Sequence, residues 1–226
     1  MKTYSNIILN YQEACDYIHE IGILPLSSCI PDYPSLESVT SKHLWYTGAK
    51  NDPWEWRKHF AIDGVAAYGK FIKKKSFIVS VRIFPFVKRI LGDTRSMEER
   101  YSMGLITKDA VNIYNTIVKN PGIETRELKA VLNMNNKESK RTFDKAMVEL
   151  QGFSDIVIPG FVKKLGDNGE EKGWNSTSYM AAESWMNDKN IPILIEYEEA
   201  KDQLLSHFEK VCSEKAKKTF LKSFNL

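Results

Sequence analysis

Apolar residues recur at spacings of three and four near the start of the chain, through Ile7, Ile8, Tyr11, Ala14, Cys15, Ile18 and Ile21, with Gly22 directly behind them. That rhythm predicts an amphipathic helix over 7–21, stopped by the glycine. Pro25, Pro31 and Pro34 then break the pattern, so 22–41 reads as an irregular surface connection. At Asp52-Pro53 an N-cap precedes a residue well tolerated in the first helical turn, which predicts a second helix through Trp54 to Phe60. After Gly64, two β-favouring runs flank Lys73, Lys74 and Lys75. They predict an antiparallel hairpin with a lysine-rich tip, its second strand ended by Pro85.

The rhythm changes after the charged stretch 93–100, and a domain boundary is expected near Met103. Ala110, Ile113, Tyr114, Ile117 and Val118 form a helical stripe that stops at Asn120-Pro121-Gly122. Thr125 is positioned to cap a short helix carrying Leu128, Val131 and Leu132. Asn136 can cap a third, whose apolar face reads Phe143, Ala146, Met147 and Leu150. Extended runs follow at 155–158 and 160–165, then a Gly-Asp-Asn-Gly loop and polar residues leading to Trp174. Helix, helix, helix, strand, loop, strand is the order of a winged helix-turn-helix, although order alone leaves other small α+β folds open. The expected fold is therefore α+β. A winged helix-turn-helix domain at 104–188 follows an N-terminal α/β region at 1–103, and a helical tail with Leu204, Phe208, Val211, Phe220 and Phe224 occupies 189–226.

Composition narrows the class. Of 226 residues, 42% are hydrophobic and 27% charged, an ordinary globular balance that excludes fibrous and disordered chains. No apolar run is long enough to cross a bilayer, and acids enter the amino-terminal stretch before any signal-type core, so no membrane partner and a cytoplasmic location are expected. Cys15, Cys29 and Cys212 fit no disulfide framework. The net charge of +3 conceals an asymmetry: 57–100 carries +7, whereas 104–188 is near −1. A polyanionic partner would feel the first stretch most.

Candidate chemistry follows that division. On the third helix, Arg141 and Lys145 lie nearly opposite Phe143, flanked by Lys137 and Glu138, and Lys140 completes the helix's cations with Lys137, Arg141 and Lys145. These four are the residues offered to a DNA groove, and Arg141 suits a guanine edge or a phosphate. Glu138, Asp144 and Glu149 offset much of their charge, so an ordinary solvated face is an equal reading. The wing brings Lys163 and Lys164 but also Asp167, Glu170 and Glu171, a mixture unusual for a phosphate-tracking loop. Lys73, Lys74 and Lys75 form the stronger basic cluster, although lysines at a hairpin tip also block edge-to-edge sheet association. Trp45, Trp54 and Trp56, with Arg57 and His59, could form a pocket that stacks a base, although tryptophan clusters are more often core. The four histidines show no metal-ligand spacing, and nucleotide-binding and hydrolase motifs are absent. Neither a metal nor a cofactor is expected.

HLWYTG at 43–48 and DPWEWR at 52–57 resemble the AlkZ-related proteins, kin to the AlkZ/YcaQ DNA glycosylases, and so do FDKAMVELQ at 143–151, GW at 173–174, AESW at 182–185 and the tail beginning EEA at 198. The resemblance implies a winged-helix fold and a DNA context. Activity does not carry over with it: the glycosylases hold their catalytic water with Gln-x-Gln or Gln-x-Asp, whereas Gln12, Gln151 and Gln203 are followed two places on by Ala14, Phe153 and Leu205. No catalytic residue is assigned. The expected function is non-catalytic DNA binding linked to repair or transcription. The alternatives are a protein-interaction module on the same scaffold, with a homodimer through the tail helices as one form, and a divergent glycosylase-like repair enzyme.

Overall fold

A computed structural model describes residues 7–162 and 175–226. The first helix, α1 (Tyr11–Ile21), starts later than the apolar rhythm suggests, because the Asn10 side chain accepts from the Glu13 amide and fixes the cap. Ile8 pairs instead with Thr40, and Ile7 is exposed. Gly22 ends α1 at φ 75°.

The expected irregular connection at 22–41 contains two elements. In β1 (Ile23–Pro25), Ile23 and Leu24 are fully buried, and a proline is tolerated at this edge. A reciprocal Ser35–Ser38 capping box opens α2 (Leu36–Val39). Asp52 caps α3 (Pro53–Trp56) as expected, but the helix does not reach Phe60. The Lys58 and His59 amides close tighter three-residue steps onto the Glu55 and Trp56 carbonyls, and the chain turns until Gly64.

The expected hairpin is β2 (Ala66–Ile72) and β3 (Lys75–Ser80), in a sheet ordered β1-β3-β2. Pro85 is not the strand's stop. It lies in the first turn of α4 (Phe84–Leu91), where its missing N–H is harmless. The charged stretch, given no element from the sequence, runs into α5 (Met97–Ser102), opened by a Ser96–Glu99 capping box.

Next come α6 (Lys108–Lys119), the short strand β4 (Ile123–Glu124), α7 (Thr125–Val131), α8 (Lys137–Gly152), β5 (Ile156–Val157), β6 (Phe161–Val162) and β7 (Ser176–Ala181). In α8, the Asn136 cap and the buried face of Phe143, Ala146, Met147 and Leu150 are as expected. Thr125, by contrast, is not a cap: Glu124 holds that position, and the Thr125 hydroxyl donates to the Thr177 carbonyl, tying α7 to the sheet. β7 pairs antiparallel with β4, β5 and β6. This arrangement is consistent with the expected winged helix-turn-helix. The loop that would form the wing tip, with Lys163 and Lys164, lies outside the described residues.

The remaining helices are α9 (Ala182–Asp188), α10 (Tyr197–Val211) and α11 (Glu214–Phe224). The tail's apolar side chains turn inward: Leu204, Phe208, Phe220 and Phe224 are buried, with Phe208 stacked on Phe220 at 5.0 Å. His207 bonds the Ile21 carbonyl at 3.0 Å, which fastens α10 to the end of α1. The tail's apolar stripe is thus engaged within one chain.

The N-terminal region is joined to the elements that follow it at several points. The outer edge of β2 is satisfied by the Ile158 amide, donating to the Tyr68 carbonyl at 2.8 Å, and by the Gln151 side chain, accepting from the Lys70 amide at 2.9 Å. Deeper in the structure, Arg100 meets Asp155 through two bonds of 2.9 and 2.8 Å, both side chains being buried.

Candidate nucleic-acid interface

The loop before α3 is built around one carboxylate. Asp52, 1% exposed, accepts from the backbone amides of Tyr46, Gly48 and Trp54. Such convergence fixes a loop because each amide would otherwise need water. The Trp56 indole donates to the Lys50 carbonyl and is buried in the core. Trp45 donates to Thr40 and stays half-buried. Trp45, Tyr46 and Trp54 form a ring cluster with centroids 5.0–6.5 Å apart, along one side of a shallow cavity of about 410 Å³. His59 leaves this group: it is exposed and lies edge-on to Tyr11.

The other face of Trp54 carries Arg57. Its guanidinium carbon sits 3.5 Å from the Trp54 ring centroid and 4.3 Å from that of Phe161 on β6. The residue is 7% exposed, and burial draws its pKa downward, opposed by the Tyr68 hydroxyl. Among the described residues no carboxylate pairs with it, and its buried Nε has no hydrogen-bond partner. Glu55, whose charge favours the guanidinium, is paired with Lys58 instead.

Arg57 lines a second cavity of about 400 Å³. One wall is the hairpin, through Tyr68, Lys70 and Ser76, and the opposite wall is α8, through Asp144, Met147, Val148 and Gln151. Period-two alternation puts Tyr68 and Lys70 on one face of β2, a signal readable in the sequence once the strand is assigned. On α8, the lining residues Phe143, Asp144, Met147, Val148 and Gln151 span an arc that includes Lys137 and Lys140 at 3.6 residues per turn, with Arg141 about 20° beyond its edge. Lys137, Lys140, Arg141 and Lys145 are all exposed and form no ion pair among the described residues. Lys145 is turned further from that face than Arg141.

At the hairpin tip, Lys73 and Lys74 take left-handed conformations, φ 48° and 61°. A two-residue turn of this kind favours Asn-Gly, and a residue bearing Cβ is held there against roughly 1–2 kcal/mol. Lys75 begins β3, and all three lysines are exposed. Elsewhere, much of the +7 stretch is engaged. Lys88 pairs with Glu183, Arg89 donates to the Ile195 carbonyl, Arg95 grips Asp93 and Arg100 grips Asp155. The charge left for a partner is concentrated in Lys70 and Lys73 to Lys75.

The structure thus divides the sequence candidates. Arg57 is the candidate that lines the cleft; the α8 cations lie on the turns ahead of that helix's lining residues, and the hairpin lysines beyond the end of the other wall. Trp45 and Trp54 belong to the neighbouring aromatic cavity, Trp56 to the core and His59 to the α1 side. Tyr68 and Phe161 were not among the candidates, because their role depends on elements distant in sequence; Lys70 is legible only as a basic neighbour of the lysine triplet. Among the described residues no cluster of three or more His, Cys, Asp or Glu side chains could hold a metal ion, and no helix is long and apolar enough to cross a membrane.

An α+β chain with a two-walled cleft and unpaired cations near it is the class that fold and site define. The family model described as AlkZ related matches residues 8–225, and the chain belongs to that family. This membership associates it with a DNA-repair-linked, glycosylase-like fold. No curated protein and no solved structure matches the chain.

Proposed function

We propose that this protein binds DNA without catalysing a reaction on it, using the amino-terminal turns of α8 and the lysine tip of the β2–β3 hairpin. The observation that carries this reading is a set of exposed cations without ion pairs among the described residues, on the two elements that wall one cleft: Lys70 in the lining itself, Lys73 to Lys75 beyond it on the hairpin, and Lys137 and Arg141 on the turns of α8 ahead of its lining residues. Long basic side chains on a rigid strand turn and a helix can meet a phosphate backbone with little desolvation. The left-handed lysines add support, since strained backbone kept in place is a pointer to function. Absence of Gln-x-Gln and Gln-x-Asp from the sequence favours binding over base excision.

A titration of labelled duplex DNA, followed by fluorescence anisotropy at two salt concentrations, tests the reading. Binding is expected at low salt, weakening with a slope of about 0.9 per phosphate neutralised in log–log form. No binding at low salt rejects it.

A protein-interaction role is favoured by one observation, the acids Glu138, Asp144 and Glu149 among the α8 cations. Failure of the DNA titration would leave that role as the reading to pursue.

A further inference from the structure

Among the described residues two arginines are buried, and only one has a carboxylate partner there. Arg100, 1% exposed, lies over the Phe153 ring at 4.4 Å and meets Asp155 through both terminal nitrogens. Arg57, 7% exposed, lies between the Trp54 and Phe161 rings with no carboxylate against it among the described residues. Both leave Nε without a hydrogen-bond partner, so that atom does not distinguish them. The carboxylate does. A guanidinium cannot discard its proton as a buried lysine or histidine can, so burial without an anion leaves a charge uncompensated.

Arg57 also differs in what it faces. Its cleft, about 400 Å³, is of the size that takes a small ligand, and Tyr68 and Lys70 add a hydroxyl and a second cation to the same lining. Asp144 stands on the α8 wall and disfavours an anion there, which confines negative charge to the Arg57 side. Planar guanidinium, hydroxyl and ammonium together suit the tetrahedral oxygens of a phosphate ester.

We infer that the cleft between the hairpin and α8 is a phosphate-ester site in which Arg57, held against the rings of Trp54 and Phe161, supplies the charge that Asp155 meets at Arg100. The inference deepens the DNA-binding reading by giving one phosphate of a nucleic acid a specific, partly enclosed seat. A free nucleotide offers the same chemistry.

The test follows the arginine Nε–H signals of the isotopically labelled full chain by NMR. The Arg57 signal is assigned by its loss in Arg57→Lys, and independently by its proximity to the Trp54 ring in the wild type, so the result does not depend on a variant folding. Inorganic phosphate, a deoxynucleoside 5′-monophosphate and a ten-residue single-stranded DNA are added in turn at constant ionic strength. The Arg57 signal is expected to move with a saturating dependence on at least one phosphate-ester probe while that of Arg100 stays still, and Arg57→Gln is expected to weaken that probe about tenfold or more. Movement with the DNA alone assigns the seat to the nucleic-acid backbone. Movement with the mononucleotide assigns it to a small ligand. An Arg57 signal unmoved by every probe, or moving together with that of Arg100, overturns the inference. Duplex binding in anisotropy with Arg57 unmoved would defeat this site and leave the DNA-binding reading standing. Mononucleotide binding at Arg57 without duplex binding would do the reverse.

Discussion

The junction around Arg100 and the cleft around Arg57 solve the same physical problem to different degrees. Each places a permanent cation out of water against aromatic faces, and each joins the N-terminal region to the elements after Met103. At Arg100 the chain supplies its own anion from the turn before β5, and the result is a closed, two-bond contact. At Arg57 the described residues supply rings, a hydroxyl and open space. A self-neutralised charge reads as architecture, whereas an unneutralised one facing a cavity reads as a site.

The largest effect expected from pressing on this difference is at the closed junction. Arg100→Met should remove about 3–5 kcal/mol of stability, because it strands the buried Asp155 carboxylate, and denaturant unfolding would measure it. Charge reversal near the cleft comes next. Lys73→Glu and Arg141→Glu should each weaken duplex DNA and lower the salt slope by about 1, since each replaces a cation offered to phosphate. Equal slopes in variant and wild type would remove those residues from the interface. Arg57→Met should change stability by no more than about 1 kcal/mol, or raise it: the side chain still fills the gap between Trp54 and Phe161, and an uncompensated charge is gone. A loss as large as that of Arg100→Met would erase the distinction between the two regions.

His207 adds the smallest effect and a third solution. Burial lowers its pKa, against the bond to the Ile21 carbonyl, so the folded protein holds it neutral. The unfolded chain takes up a proton near pH 6.5 that the folded one takes up only at lower pH. Stability should therefore be complete above that value and decline as the pH falls below it, and His207→Gln should flatten the decline. Gly22 leaves room for this ring: a Cβ there would collide with the imidazole, and its φ of 75° already disfavours one.

Much of the architecture was legible in the sequence. The stripes of α6 and α8, the Asn136 and Asp52 caps and the hairpin with its lysine tip follow from local spacing and turn chemistry, which act within a few residues. The strands β1 and β4 were not legible, being three and two residues long and defined by their partners rather than by their own pattern. For the site, side chains could be proposed from charge and type, yet their grouping could not. Lys70 and Gln151 meet across 81 positions of sequence, and nothing local announces it. An arginine is ordinarily exposed, so the burial of Arg57 could be learned only from the packing of Phe161 over it. In the other direction, Trp56 and His59 looked equivalent to Trp54 on the sequence, but α3 sends Trp56 to the core and the turn after it carries His59 against Tyr11.

The most direct test compares thermal unfolding of the wild type and Arg57→Met, each in chloride and in phosphate of equal ionic strength. A ligand that binds only the folded state raises the unfolding temperature. Phosphate raises any folded chain somewhat over chloride by exclusion from its surface, so the wild type should gain more than Arg57→Met, which should unfold in chloride at or above the wild-type temperature. Equal gains in phosphate for the two proteins, with Arg57→Met unfolding well below the wild type in chloride, would make Arg57 a structural arginine like Arg100.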